Sequence, residues 1–445
     1  MKEYQWGGVL ADDMGLGKTL QMIAFICKII EENPKAKILV VAPTTLLFNW
    51  RDEIEKFAPD LDFFIHHGNR YNSSEELLKH QVLLTSYGLV INDLALLSEI
   101  EFDLLIADES QAIKNPISLR FKSITKLKAK LRIAMSGTPI ENGLTELFAQ
   151  MSFVNPGFFL TLKNFKDNYL TPLKNGDKEA LMELQKKIKP FVLRRTKEEV
   201  LTELPEKMEE YLYCIMGDSQ RKIYDAYRNE YRDYMMKKIE EEGPENSKMY
   251  LLEGLTKLRQ VCDSTKLVKH TEKSNASIKT DILIEHILEK TGNHKILIFS
   301  QFVKMLEIVK EKLEEYQIPY AYLDGKSSMK AREKSVTEFQ NDESKRVFLI
   351  SLKAGGTGLN LTAADYVYIL DPWWNPATEN QAIDRCYRMG QKKNVVAYRM
   401  ICKDTVEEKI MNLQQVKIKL AKDIISDGDG FLASLDKEAM LGLFD

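Results

Sequence analysis

The sequence predicts an α/β protein in which two parallel-sheet units flank a helical stretch. Three observations predict it. Short, almost wholly apolar runs of strand length recur between residues 7 and 138 and again between 295 and 401. Helical patterns separate those runs. The residues from 157 to 275 carry few strand signals and are rich in Lys, Glu, Leu and Tyr. Near-continuous apolar strands alternating with helices suit a parallel sheet covered on both faces.

The elements follow in chain order. GGVLA (7–11) is a short strand leading into a Gly-rich turn. TLQMIAFICKII (19–30) is a helix stopped by Asn33-Pro34. KILVVAP (37–43), VLLTSY (82–87), FDLLIADE (102–109) and LRIAMSGT (131–138) are further strands. SQRKIYDAYRNEYRDYMMKKIEEE (219–242) is a long amphipathic helix, and EGPENS (242–247) is a turn or linker. KILIFSQF (295–302) runs into the amphipathic helix FVKMLEIVKEKLEEY (302–316). AYLDG (321–325), VFLIS (347–351), YVYIL (366–370) and VVAYRMI (395–401) are the remaining strands. The two α/β units do not look like one sequence repeated, but two copies of one fold fit the pattern. The tail from 403 reads as mostly helical, with a break at SDGDG (426–430) that lacks a calcium-loop pattern. The expected domains are 1–156, 157–275, 276–432 and a tail at 433–445.

At roughly 100–200 residues per domain, 445 residues allow about two to four domains. With 44 % hydrophobic and 29 % charged residues, the chain has an ordinary globular composition. Lys plus Arg number 63 against 66 Asp plus Glu, a net charge of −3. A basic balance is the usual footprint of nucleic-acid binding, so any such contact here must use local positive charge. The five cysteines, Cys27, Cys214, Cys262, Cys386 and Cys402, lack metal-ligand spacing and are odd in number, which favours reduced thiols over a disulfide framework or a zinc site. No apolar run approaches the roughly 18 residues of a membrane span, and the start has no signal-peptide core. A soluble, intracellular protein is expected.

ADDMGLGKT (11–19) follows a strand and opens a helix, the setting of a phosphate-binding loop. Gly15 and Gly17 let the backbone turn N–H groups inward, Lys18 can reach β- and γ-phosphates, and Thr19 can ligate Mg²⁺. Asp12 stands where the strict pattern has its first Gly, so a plain helix N-terminus stays open as an alternative. In IADESQ (106–111), Asp108 suits a metal held through water and Glu109 suits polarising the attacking water. The alternative is an acidic first helical turn. In QAIDRCYRMGQ (381–391), Arg385 and Arg388 stand three apart on a predicted helix and so share a face, as arginine fingers or as a solvated basic face. Gly355, Gly356 and Gly358 permit close backbone approach to a phosphate. Polar clusters at APTT (42–45), TSY (85–87), SGTP (136–139) and SQF (300–302) sit at strand ends, where α/β sheets present ligands, though they also suit ordinary turns.

Taken in order, these strings resemble the superfamily-two helicase motor, and more narrowly the Swi/Snf family of DNA-dependent ATPases. The resemblance rests on GGVLADDMGLGKT, VVAPTTLLFNW, LLTSYGLV, LLIADESQAIKN, MSGTPIEN, FVLRRTKEEVLTELPEK, LRQVCDSTKLV, ILIFSQF, YLDGKSS and the run from ISLKAGGTGLNL through DPWWNP to RMGQKKNV. It covers nearly the whole chain from residue 4. DPWWNP, RMGQ and FVLRRTKEEV belong to this family rather than to helicases at large. The resemblance implies two RecA-like parallel-sheet lobes with a helical insertion between them, and ATP in the cleft between the lobes. It places the phosphate loop at Asp12, Met14, Gly15, Gly17, Lys18 and Thr19, with Asp12 itself the family's form. It gives Asp108 and Glu109 the metal and base roles, and Thr19 and Asp108 the Mg²⁺. Gln111, Ser136, Gly137 and Thr138 become coupling residues, and Gln381, Arg385 and Arg388 complete the ATP site. Thr44, Thr85, Ser86, Ser300, Gly356, Thr357 and Trp374 fall in segments that contact DNA or support such contacts.

The implied activity is an ATP-dependent translocase, a monomeric motor that steps along double-stranded DNA and displaces or remodels bound protein complexes. The insertion carries a candidate DNA track, Lys186, Lys187, Lys189, Arg194, Arg195 and Lys197, which reads equally as a solvated helix end balanced by Glu198 and Glu199. One departure stands out. The family carries an adenine-contacting Gln and a full helix before the phosphate loop, whereas here YQ (4–5) meets GGVLADD almost at once. The missing helix favours a non-catalytic DNA- or partner-binding fragment as one alternative, and a strand-separating helicase is a second, which DPWWNP and the helical insertion argue against. The Lys- and Ile-rich composition leans towards a bacterial, nucleoid-associated protein, with a nuclear one if the source is eukaryotic.

Overall fold

The computed structural model describes residues 6–67, 73–137, 144–200, 205–268, 276–289, 291–292, 294–355, 359–372, 376–412 and 442–444. The chain divides into two compact units, with the change of unit between Thr202 and Glu203. The Gly-rich break at 426–430 lies outside the described residues.

The first unit is built on seven strands: β1 (Gly8–Leu10), β2 (Ile38–Ala42), β3 (Phe63–His66), β4 (Val82–Ser86), β5 (Glu101–Ala107), β6 (Lys128–Met135) and β7 (Val192–Leu193). They lie in the order β3-β4-β2-β5-β6-β1-β7, every pair parallel. The second unit has six: β8 (Lys207–Cys214), β9 (Ile296–Ser300), β10 (Tyr320–Leu323), β11 (Val347–Ser351), β12 (Tyr366–Ile369) and β13 (Val395–Cys402). Their order is β10-β11-β9-β12-β13-β8, again all parallel. Counting β2–β6 and β9–β13 each as one to five, both sheets share the order 2-3-1-4-5. The two units are therefore copies of one α/β topology, as expected of two RecA-like lobes.

The apolar runs are explained by burial on both faces. Along β2, Ile38, Val40 and Ala42 join one core cluster, and Leu39 and Val41 join the other. Along β9, Ile296 and Ile298 point one way, and Leu297 and Phe299 the other. A strand alternates its side chains between faces, so two covered faces require an unbroken apolar run.

The strands that the sequence hides are edge strands. β8, KMEEYLYC, is exposed along most of its length, so charge interrupts its apolar pattern. β7 has two residues and pairs only with β1. The long helix Asp218–Asn246 is broken at Gly243, whose φ of 77° and ψ of 162° mark the turn expected at 242–247. The stretch 157–275 is shared between the units. Leu162, Phe165, Tyr169 and Leu184 pack into the first lobe's core. Tyr224, Met235, Leu251, Leu255 and Leu258 pack into the second's.

A buried charge cluster fastens that second group of helices to its sheet. Lys279 Nζ, wholly buried, donates to Asp263 Oδ1 at 2.8 Å, Glu407 Oε1 at 2.7 Å and the Leu370 carbonyl at 2.6 Å. Arg259, from the helix Lys248–Asp263, donates to the carbonyls of Asp371 (2.8 Å) and Pro372 (3.1 Å). Cys262, Cys402 and Glu407 bring potential ligand atoms within 4.8 Å of one another. The cation already present there is the Lys279 ammonium, and burial pushes both thiols above their ordinary range. All five cysteines are free thiols. Among the described residues no helix is long and apolar enough to cross a membrane.

Candidate active site

The candidate site gathers where strands β1, β5 and β6 end in the first unit. Parallel sheets collect loop residues at their C-terminal ends, which is where a ligand meets them. After β1 the chain turns through Gly15 (φ 90°) and Gly17 (φ 71°), both left-handed, into the helix Lys18–Glu32. These angles suit glycine and strain other residues. Gly17 caps the helix and has no side chain to bond the first N–H groups of the helix. Lys18 Nζ donates to the carbonyls of Asp12 at 2.7 Å and Asp13 at 3.2 Å. Burial lowers the Lys18 pKa, against the opposing charges of Glu109, Asp108, Asp12 and Asp13. Those charges bring the two sequence motifs into one electrostatic neighbourhood. A Cβ on Gly137 would stand 2.5 Å from Met14 Cγ and 3.6 Å from Lys18 Nζ, so only glycine lets the end of β6 lie against the phosphate loop.

Asp108 is buried directly after β5. Its Oδ2 accepts from Trp50 Nε1 at 2.8 Å, and its Oδ1 from the Glu109 N–H at 2.8 Å. Tyr87 Oη donates to its carbonyl at 2.7 Å. Burial and then the Glu109 charge push Asp108 up to about 6, partly offset by the Trp50 and Glu109 donors and by Lys18. Glu109 adopts left-handed angles, φ 48° and ψ 56°. Such strain in a non-glycine residue clusters at functional sites. Its Oε2 accepts from Gln111 Nε2 at 2.6 Å, and Gln111 Oε1 accepts from Ser136 Oγ at 3.2 Å. A hydrogen-bonded chain Ser136–Gln111–Glu109 thus joins the ends of β5 and β6. Thr138 lies outside the described residues.

The residues present fit a nucleotide with a divalent metal. Lys18 offers a half-buried ammonium, the helix start offers N–H groups, and Asp108 and Thr19 carry the hard oxygen atoms that Mg²⁺ takes as ligands.

Two features of the sequence reading change. Arg385 and Arg388 do not share a helical face, because the helix Pro376–Ile383 stops before them. The Arg385 N–H bonds the Ala382 carbonyl at 3.2 Å, and the Arg385 carbonyl accepts from Leu361 N at 2.9 Å, which removes it from any continuing helix. Arg385 is buried and Arg388 half-buried on the turn that follows, and Gln381 is buried on the helix, all in the second unit. The basic cluster is part exposed and part tied into the lobe. Lys186, Lys187, Lys189 and Arg194 are exposed, with Lys187 Nζ on Tyr169 Oη at 3.1 Å. Lys197 is buried with its N–H on Asp13 Oδ2, and Arg195 turns onto Asp12.

Of the residues in candidate DNA segments, Thr44 is exposed. Thr85, Ser86 and Ser300 are buried. Thr85 Oγ1 donates to the His66 carbonyl, Ser86 Oγ caps the helix Tyr87–Asn92, and Ser300 Oγ bonds Phe302. These three hydroxyls shape the strand ends from within. Gly356, Thr357 and Trp374 lie outside the described residues. Trp50, Tyr87 and Arg195 touch the phosphate-loop and Asp108 neighbourhood, a placement the sequence reading did not make: it put Tyr87 in a strand-end cluster and Arg195 in a DNA track. Trp50 and Tyr87 fall inside the strings VVAPTTLLFNW and LLTSYGLV, but no local signal pairs Arg195 with a residue 183 positions away.

The SNF2-related domain matches residues 1–267, and the helicase conserved C-terminal domain matches 278–390. This chain belongs to the SNF2-related family. A putative ATP-dependent helicase/translocase of Bacillus subtilis, YwqA, is 39 % identical over 458 residues, covering all of this chain and 49 % of the relative. The TATA-binding protein-associated factor MOT1 of Saccharomyces cerevisiae is 32 % identical over 516 residues, covering all of this chain and 28 % of the relative. The chain thus spans less than half the length of these curated relatives. Among solved structures, the SWI2/SNF2 ATPase core of Sulfolobus solfataricus in complex with dsDNA is 39 % identical, covering 99 % of this chain and 93 % of that one, with a TM-score of 0.47.

Proposed function

We propose that this SNF2-related chain is a DNA-dependent ATPase that moves along double-stranded DNA and displaces or remodels proteins bound there. The observation that carries the reading is the convergence of Lys18, Asp108 and Glu109 on one neighbourhood at the ends of parallel strands. Lys18 binds the β- and γ-phosphates of ATP, leaving the two carbonyls that now hold it. Asp108 and Thr19 would hold Mg²⁺, which would supply charge neutralisation at the phosphates. Glu109 orients the attacking water and takes up its proton. Gln111 and Ser136 keep the Glu109 carboxylate in place. Arg385 and Arg388 act as arginine fingers and Gln381 completes the nucleotide site, roles that rest on the family motif. Local backbone N–H groups and exposed side chains such as Thr44 grip DNA phosphates, consistent with a net charge of −3 and with release at each step.

The test is the ATPase rate of the purified chain alone, with duplex DNA, with single strands and with RNA. Stimulation by duplex, lost in Glu109→Gln, is expected. Displacement of a triplex strand without opening of a forked duplex is expected of a translocase, and opening of the fork would instead mark a strand-separating helicase. A chain inert under all of these conditions would return the reading to a non-catalytic fragment.

A further inference from the structure

Asp12 places a carboxylate in a loop proposed to receive a polyanion. Its carboxylate is wholly buried, close to Lys18 and near Asp13, Asp108 and Glu109. An uncompensated buried carboxylate is costly in itself, and it also opposes an incoming triphosphate. Arg195 removes the difficulty. Its Nε lies 3.1 Å from Oδ1 and 3.1 Å from Oδ2 of Asp12, and its Nη2 also donates to Oδ2. Its own N–H donates to Oδ1 at 3.0 Å. Gln21 closes the arrangement, donating from Nε2 to Asp12 Oδ2 at 3.2 Å and to the Leu16 carbonyl at 3.1 Å, while its Oε1 accepts from Arg195 Nη2 at 2.6 Å. The backbone is tied as well. Ala11 N donates to Leu193 O at 2.7 Å, Asp13 N to Arg195 O at 3.0 Å, and Lys197 N to Asp13 Oδ2 at 3.1 Å.

The segment 192–197 therefore continues the β1–β7 pairing into the phosphate loop and fixes the two carbonyls that hold Lys18. We infer that Arg195 is a positioning residue for the nucleotide: it cancels the Asp12 charge and holds the loop so that Lys18 meets the phosphates. The inference rests on the nucleotide site proposed above. Burial pulls the Asp12 carboxyl up, yet the Arg195 and Gln21 hydrogen bonds prevail and hold it below its ordinary value.

The test measures binding of a fluorescent methylanthraniloyl-ADP to the full chain, with the ATPase KM and kcat alongside. Arg195→Ala should weaken nucleotide binding about tenfold, or about 1.4 kcal/mol, and raise KM more than it lowers kcat. Adding Asp12→Asn to Arg195→Ala should restore most of the loss, because the charge that needed cancelling is gone. Arg195→Lys, which keeps the charge but not the planar fork, should fall between the two. If Arg195→Ala does not fold, Arg195→Lys decides, and affinity equal to wild type overturns the inference. So does unchanged affinity in Arg195→Ala, or a double variant no better than Arg195→Ala. Wild-type protein that binds no nucleotide overturns the proposed function and this inference together, whereas equal binding by wild type and Arg195→Ala overturns the inference alone.

Discussion

Asp108 and Asp371 occupy equivalent places in the two lobes. Each follows the fourth strand of a 2-3-1-4-5 sheet, and each is pushed up to about 6, burial being the largest cause. Their surroundings part from there. Asp108 sits beside Glu109 and within the field of Lys18, whose ammonium is held by backbone carbonyls that a ligand can replace. Asp371 is enclosed. The Gln301 N–H reaches its two oxygens at 3.2 and 3.0 Å, Arg259 holds its carbonyl, and nearby Lys279 has all three donors taken by Asp263, Glu407 and Leu370. The same strand end thus serves two purposes. In the first lobe the lysine is kept exchangeable, and in the second it is consumed as a structural cation. An ammonium has three donors, and whether those donors face replaceable carbonyls or fixed carboxylates separates a binding lysine from a fastening one.

The sharpest way to break this comparison is to remove each lysine. Lys279→Met leaves Asp263 and Glu407 buried without their cation and should cost about 3–5 kcal/mol of stability, read as a lowered unfolding midpoint in urea. Lys18→Ala should leave that midpoint close to wild type while lowering the ATPase rate by at least the roughly 10²–10³-fold seen when one preorganised donor to transition-state charge is removed. A large stability loss in Lys18→Ala would erase the distinction.

The next test uses pH. The folded-state value of Asp371, about 6, lies above its ordinary 3.8, so the folded form favours the protonated acid. Its contribution to stability is complete below the unfolded value and is lost as pH rises through about 6. Asp371→Asn should therefore flatten the fall in stability between pH 4 and pH 7, as measured by urea unfolding at several pH values. An unchanged slope would mean that Arg259 and Lys279 neutralise the carboxylate completely. The smallest effect is expected at Tyr87→Phe, which removes one buried hydrogen bond to the Asp108 carbonyl and should cost about 1 kcal/mol. If it also lowers the ATPase rate well beyond any unfolding, Tyr87 helps to position Asp108 as well as to pack.

The parts legible in the sequence were those that local chemistry dictates. Apolar runs such as ILVVA and ILIFS could only be strands covered on both faces, and GLGKT after a strand could only turn through positive φ into a helix. The same logic failed where a residue's role depends on a distant partner. Arg385 and Arg388 look helical by spacing, but the helix stops at Ile383, the Arg385 N–H bonds Ala382 three residues back, and the Arg385 carbonyl is engaged by Leu361. For Thr85, Ser86 and Ser300 the sequence left contact with DNA and support of such contacts equally open, and the structure shows neighbouring backbone groups engaging their hydroxyls inside the lobes. β8 escaped notice because an edge strand has one neighbour and keeps its charges in water.

The sequence by itself determined the α/β class, the two units and the order of the chemistry along the chain, since strand periodicity and phosphate-loop turns are set within a few residues. Only the tertiary structure decided which charges act and which fasten. Arg195 is tied to Asp12 while its side chain stays 42 % exposed, and Lys279 belongs to Asp263 and Glu407. The physical reason is that a buried charge must be cancelled by whatever the fold brings beside it, and the distance between such partners along the chain carries no local signal.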